Sequence, residues 1–465
     1  MITPFTRRRS RRELLQFGTG LGMSGMLSAR PFEATAQRVP SPLFANSVVD
    51  FGAIADAQTD NTSAFQRALD AARASGGGTV YAPPGKYLFR GSLHIPEGVS
   101  LRGSYGCVPA HTGIRDSGQP KPGDDGTALL VVGARGSENA TPFINLNTNG
   151  SLIGLTVYYP EQEMDGEPVA YPWTVAMRGK NPAVLDVELL NPYQAIDATN
   201  NERHNIRNVT GQPLRRGIWV DAILDIGRIE NVHFNPWWSV KPKLLRWQME
   251  HGEAFIFGRA DWEYVLNTFC YAYKTGYKFV ETATGSCNGN FLGIGADNCN
   301  RGILVEQCTA FALLIANGEF TSFQGDDPTM VEVRPTNRGV VRITNSAFWG
   351  PCRQIAKIAG TGTVSFGECT FVEWGEEFIG SEKEYERDGP PVAAIQAASG
   401  SLLVHGCDFR ADKPHVSVGK DVQRAVISGN LFSGPIQIQN SSDKHVEIGL
   451  NASSLVVPPS PYNGE

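Results

Sequence analysis

A six-residue word recurs along this chain at nearly constant intervals, and it restricts the fold more than any other feature. Clear copies are Ile206-Arg-Asn-Val-Thr-Gly, Ile229-Glu-Asn-Val-His-Phe, Ile343-Thr-Asn-Ser-Ala-Phe, Phe366-Gly-Glu-Cys-Thr-Phe, Val404-His-Gly-Cys-Asp-Phe and Ile427-Ser-Gly-Asn-Leu-Phe. Weaker copies start at Val184, Leu292 and Ile315, and successive starts are 22, 23, 63, 23, 28, 23, 38 and 23 residues apart. Such a period, with occasional long gaps, is that of stacked coils with loops inserted at their corners. The Leu-x-x-Leu-x-Leu skeleton of leucine-rich repeats is absent.

Positions 1, 4 and 6 of the word are mostly apolar, a set that no straight strand of period two can bury together. A bend at position 3, usually Asn or Gly, lets the chain turn a corner, because these residues tolerate left-handed backbone angles. Cys369 and Cys407 fall at position 4 and are predicted to be stacked core thiols rather than a disulfide or a metal site. The other cysteines show no C-x-x-C pairing and are read mostly as buried thiols. A second mark precedes the word: an apolar residue followed by a polar one, in Ile196-Asp197, Val220-Asp221, Val280-Glu281, Val305-Glu306 and Val331-Glu332. The polar positions lie 24, 60, 25 and 26 residues apart, and the long gap has room for one further coil near Phe257. The words Arg216-Gly-Ile-Trp-Val-Asp and Arg301-Gly-Ile-Leu-Val-Glu nearly repeat one another. The expected fold is all-β: a single right-handed parallel β-helix, with no long helical pattern after residue 75.

The first 36 residues read as an address. Ser10-Arg11-Arg12-Glu13-Leu14-Leu15 resembles a twin-arginine export signal, residues 17 to 27 are too short and too mildly apolar for a membrane span, and Ala34-Thr35-Ala36 has the form of a cleavage site. This predicts a periplasmic or extracellular protein, exported folded, without a membrane anchor. The remaining residues, 37–465, exceed one ordinary globular core, a limit that a solenoid escapes because each coil covers only its neighbours. Inserted loops are expected near 107–127, 160–175, 235–265 and 375–391. The tail after Lys444 is expected to leave the last coil, since its prolines cannot join a ladder. A formal net charge of −6 argues against a nucleic-acid partner.

Residues 49 to 105 carry Val49-Asp-Phe-Gly-Ala, Asp56, Thr59-Asp-Asn-Thr, Gly76-Gly-Gly-Thr-Val, Pro83-Pro-Gly-Lys-Tyr and Leu101-Arg-Gly. This opening resembles that of the pectate-lyase superfamily and of proteins related to glycoside hydrolase family 28, with Ala55-Asp56-Ala57 where the usual form is Gly-Asp-Gly. The resemblance implies a parallel β-helix whose open end is covered by a short amphipathic helix over residues 62 to 75. The polygalacturonase words Asn-Thr-Asp, Gly-His-Gly and Arg-Ile-Lys are missing, so no catalytic residue is carried over.

Equivalent residues on adjacent coils lie about 4.8 Å apart. Asp197 and Asp221 are therefore expected to stack, with Asp225, Asp261 and Glu263 nearby. Like charges stacked in this way need a cation or a shared proton, so the cluster is the candidate catalytic site; the alternative is a solvated acidic face. Trp173, Trp219, Trp237, Trp238 and Trp262 could pack on sugar rings. Arg203, Arg216, Arg228 and His233 could pair with the acids or bind acidic sugars.

Three functions follow, all with a polysaccharide or oligosaccharide partner and room for a homo-oligomer. The leading one is a glycoside hydrolase with two carboxylates, Asp221 and either Asp225 or Asp261, needing no cofactor. Next is a polysaccharide lyase in which Ca²⁺ or Arg neutralises a uronate. The third is a β-helix that binds glycan without cleaving it.

Overall fold

In a computed structural model of the chain, residues 46–111, 122–375, 377–378, 385–386 and 391–456 are described. The export signal and its cleavage site lie outside these residues, as does most of the expected loop at 375–391. The winding is that of a parallel β-helix: 38 strands form one sheet system in which the main pairings run between strands of successive coils and are parallel. Three flat faces result. The first sheet holds strands such as Ala183–Leu189, Asn205–Gly211 and Arg228–Phe234, which bend midway and continue into the second. The third sheet holds Gln194–Thr199, Arg216–Asp221, Glu253–Phe257, Thr275–Phe279 and Arg301–Val305.

The bend is the one expected from the repeated word. Position 3 adopts left-handed angles in every clear copy: φ is 53° at Asn208 and Asn231, 46° at Asn345, 55° at Glu368, 65° at Gly406 and 71° at Gly429. The asparagines also bond along the stack, Asn231 Nδ2 donating to Asn208 Oδ1 at 2.8 Å and Asn208 Nδ2 to Asp186 Oδ1 at 2.7 Å. Beyond the bend, position 6 stacks phenylalanines: Phe348, Phe371, Phe409 and Phe432 follow one another at centroid spacings of 5.4, 4.6 and 4.8 Å. Position 1 builds a continuous buried column through Ile229, Val265, Phe291, Ile315, Ile343 and Phe366. The weak copy therefore starts at Phe291; Leu292 points outward.

Helix α1 (Thr62–Ala74) closes the N-terminal end as expected, burying Ala64, Phe65, Ala68, Leu69 and Ala72. Seven cysteines are buried free thiols, Cys369 and Cys407 among them, and Cys107 is exposed. The bounds of two expected loops, 160–175 and 235–265, differ in the structure. Trp173–Met177 is already a strand of the third sheet, and the 235–265 segment holds helix α2 (Pro242–His251) followed by a strand at Glu253–Phe257. The α2 helix has no apolar stripe in the sequence, because it buries only Leu244 and Gln248. The tail continues the winding through His445–Gly449 and Ala452–Ser454. Among the described residues no helix is long and apolar enough to cross a membrane.

Candidate functional site

The outer face of the third sheet gathers charge and rings into register. Because strand residues alternate in and out, one outward row runs Asp197, Trp219, Ile256, Lys278, Leu304, Glu332 and Lys357. A parallel row runs Trp173, Gln194, Arg216, Glu253, Thr275 and Arg301. The two near-identical words in the sequence mark this second row with Arg216 and Arg301.

Opposite charges alternate up these rows, which avoids stacking like on like. Glu253 accepts from Lys278 Nζ at 3.0 Å and faces Arg215 at 3.4 Å and Arg216 at 4.0 Å. Lys278 reaches on to Glu306 at 3.5 Å. Glu332 pairs with Arg301 and, at 2.9 Å, with Arg334; Asp327 pairs with Lys357 and Arg301. Adding the Arg178–Asp197 pair and Glu138, which lies beside Arg215 and Arg216, the face holds seven cationic groups and six carboxylates, a surplus of one positive charge on a chain of formal charge −6. Arg216 Nη1 donates to Gln194 Oε1 at 2.9 Å, yet its Nε is shielded from solvent with no hydrogen-bond partner. Tyr193 lies beside Arg215, Arg216 and Glu138; burial, reinforced by Glu138 and opposed by the two arginines, pushes its phenol up. Its ring packs 6.0 Å from Trp247, whose other neighbour is His251. Glu253, Lys278 and Tyr193 escaped the sequence reading, although Glu253 occupies the same slot as the two marked arginines.

The expected acid cluster does not form as such. Thr199, not Asp197, stands level with Asp221, and Asp197 stands level with Trp219. Ile196 and Ala198 both point inward, so a slip of two residues leaves the alternation intact and sequence pattern alone cannot detect it. Asp197 is 8% exposed and tied to Arg178. Asp221 Oδ1 accepts from the Arg259 amide at 2.8 Å and from the Thr282 and Thr284 hydroxyls, each at 2.9 Å, so it pins two turns together. Asp225 pairs with Arg203 at 2.6 Å, which holds its carboxyl below the usual range. Asp261 is exposed and has no hydrogen-bond or ion-pair partner among the described residues. Glu263 is fully buried against His204, Nε2 to Oε1 at 2.9 Å, and does not reach solvent.

The expected sugar-contacting residues are spread around the coil, because one turn visits all three sheets. Trp173, Trp219 and Arg216 lie half-buried on the charged face. Trp238 is fully buried in a small cluster with Leu190, Leu214 and Leu244, which removes it from any ligand. His233 points outward from the second sheet as expected but is covered by Trp237 at 4.6 Å and Phe269 at 4.9 Å, and burial lowers its pKa. Trp262 and Arg203 sit on turns, and Arg228 is on the outer face of the first sheet.

Comparison with known proteins agrees with this architecture. Residues 45–149 match the family model described as rhamnogalacturonase A/epimerase, pectate lyase-like. The chain is 50% identical over 52 residues to the mannuronan C5-epimerase AlgE3 of Azotobacter vinelandii, an alignment covering 11% of this chain and 3% of that protein. It is 31% identical over 147 residues to the probable rhamnogalacturonase A of Aspergillus niger, covering 31% of this chain and 29% of that one. The chain thus spans under a third of the curated relatives that it matches. A crystal structure of the bacteriophage phi29 gene product 12 N-terminal fragment shares the fold, with a TM-score of 0.60, 14% identity, and coverage of 88% of this chain and 70% of that one. The N-terminal coils thus resemble those of carbohydrate-active enzymes, and the whole described chain is a parallel β-helix.

Proposed function

We propose that this chain is an exported enzyme acting on an acidic polysaccharide laid along the outer face of the third sheet. The carrying observation is Arg216, a half-buried guanidinium on the outer face, set in a ladder with surplus positive charge. A charge-assisted hydrogen bond from this guanidinium to a ligand carboxylate would contribute about 1.5–3 kcal/mol. Coils rise about 4.8 Å each, close to the advance of one sugar in an extended chain, so successive rungs would meet successive residues. Trp173 and Trp219 would supply flat surfaces for sugar rings.

The chemistry that suits these groups is β-elimination. Arg216 and Lys278 would neutralise a uronate carboxylate and so acidify the C5 proton. Loss of that proton to a base and departure of the oxygen on C4 leave a C4–C5 double bond. Tyr193, whose phenol burial keeps protonated, would donate to the departing oxygen. A second reading, hydrolysis, draws on the rhamnogalacturonase match, with the unpartnered Asp261 as its acid or base.

Incubating the purified protein with polyuronates and neutral glycans, with and without chelator, tests both readings. Ultraviolet-absorbing unsaturated ends on polyuronates support elimination, and reducing ends without that absorbance support hydrolysis. Binding without any product would leave a glycan-binding protein and sink both.

A further inference from the structure

The outer face of the first sheet carries an apolar strip for which neither the glycan-acting reading nor the core has a use. Its two outward rows run Arg228, Tyr264, Asn290, Leu314, Arg342 and, two residues along each strand, Glu230, Leu266, Leu292, Ala316, Thr344. Tyr264, Leu292 and Leu314 are 42%, 41% and 43% exposed, and with Leu266 and Ala316 they line a depression of about 460 Å³. Trp262 and Phe311, on turns leading into the same strands, are also exposed. A contiguous apolar patch of this kind marks an interaction surface rather than the scattered exposure of a monomer.

We infer that this face is a two-fold interface between copies of this chain, with the two solenoids lying side by side and their coils winding in the same direction. The charges at the end of the strip select the arrangement. Arg228 and Glu230 share a coil; Asp225 feels the Arg228 charge and Arg207 stands level with Glu230 on the preceding coil, but neither contact closes into an ion pair among the described residues. A two-fold axis parallel to the solenoid exchanges the two rows. It places Arg228 of one copy on Glu230 of the other, and the reverse, while Tyr264 meets Leu266 and Leu314 meets Ala316. A two-fold axis along the strands would instead set Arg228 against Arg342 four coils away, a like-charge contact. The parallel arrangement is isologous and closed, burying the strip without leaving an open surface to continue a fibre.

Sedimentation of the full chain reads the outcome. The wild type is expected at twice the mass of one chain, and Leu292→Glu at the mass of one. Arg228→Glu and Glu230→Arg singly should each weaken dimerisation at least tenfold, and the double exchange should restore it, because the opposed pairs are re-formed with their signs reversed. All these side chains point outward, so circular dichroism should be unchanged in every variant. A wild type that stays monomeric, including one that binds lipid vesicles or a neutral glycan on this face instead, overturns the inference. So does a double exchange that fails to restore assembly, or an Arg228→Glu variant that dimerises more tightly, the result required by the other axis.

Discussion

Replacing His204 with Ala should be among the most damaging single changes outside the apolar core. His204 and Glu263 have 0% side-chain exposure and join at 2.9 Å, and His204 Nδ1 is 3.1 Å from Asn201 Oδ1. Glu263 Oε2 has no hydrogen-bond partner, so His204 is the group that satisfies this carboxyl. There is no slack to relax into: a Cβ added at Gly227 would lie 2.3 Å from Glu263 Oε2 and 2.4 Å from His204 Cε1. Removing one partner of such a pair costs about 3–5 kcal/mol, because the other is left buried and unpaired. Replacing both by Leu should cost far less than the two single changes combined, since no stranded polar group remains. Urea unfolding gives the energies. Hydrogen exchange gives the location, because a solenoid can open coil by coil, and protection should fall first around residues 201–210 and 263–271. A cost under about 1 kcal/mol for His204→Ala, or strict additivity of the pair, would refute the reasoning.

Arg216→Gln should lower kcat/KM on an acidic glycan by roughly 10- to 150-fold, the equivalent of a charge-assisted bond of about 1.5–3 kcal/mol, and leave neutral glycans unaffected; equal losses on both would point to a structural role. Asn231→Ala should destabilise by about 1–2 kcal/mol through its left-handed backbone, with Asn231→Gly closer to wild type in thermal melts; equal melts for the two would remove the backbone argument. Burial lowers the pKa of His233 and His415 below 6.5, so the folded state binds fewer protons than the unfolded one. Stability should therefore fall as pH drops through 6.5, and His233→Phe should flatten that slope in denaturation measured from pH 8 to 5; an unchanged slope counts against His233.

Much of the winding could be read in the repeated word because each copy states its own local physics: an inward apolar residue, an outward one, a left-handed corner, then two more inward positions. Asn231 and Asn345 are at the corner because few other residues accept its angles, and this needs no knowledge of distant partners. The capping helix was readable for the same reason, its apolar stripe being complete within Thr62–Ala74. The site was less readable. Asp197 and Asp221 were paired by a pattern that a slip of two residues leaves unchanged, and only the hydrogen-bonded register separates them. Trp237 and Trp238 are neighbours in sequence, yet Trp237 covers His233 while Trp238 fills the small cluster under the loop.

That this chain winds, where its corners fall and which side chains point to the core all follow from the backbone preferences and alternation of a few adjacent residues. The tertiary structure decided which rung stands above which, and therefore that Glu253 meets Lys278 and two arginines while Asp197, Asp221 and Asp225 are each bound elsewhere. The reason is physical: inward or outward is a property of one strand, whereas charge pairing depends on the register between strands 20 to 40 residues apart, which loop lengths at the corners shift without altering either strand.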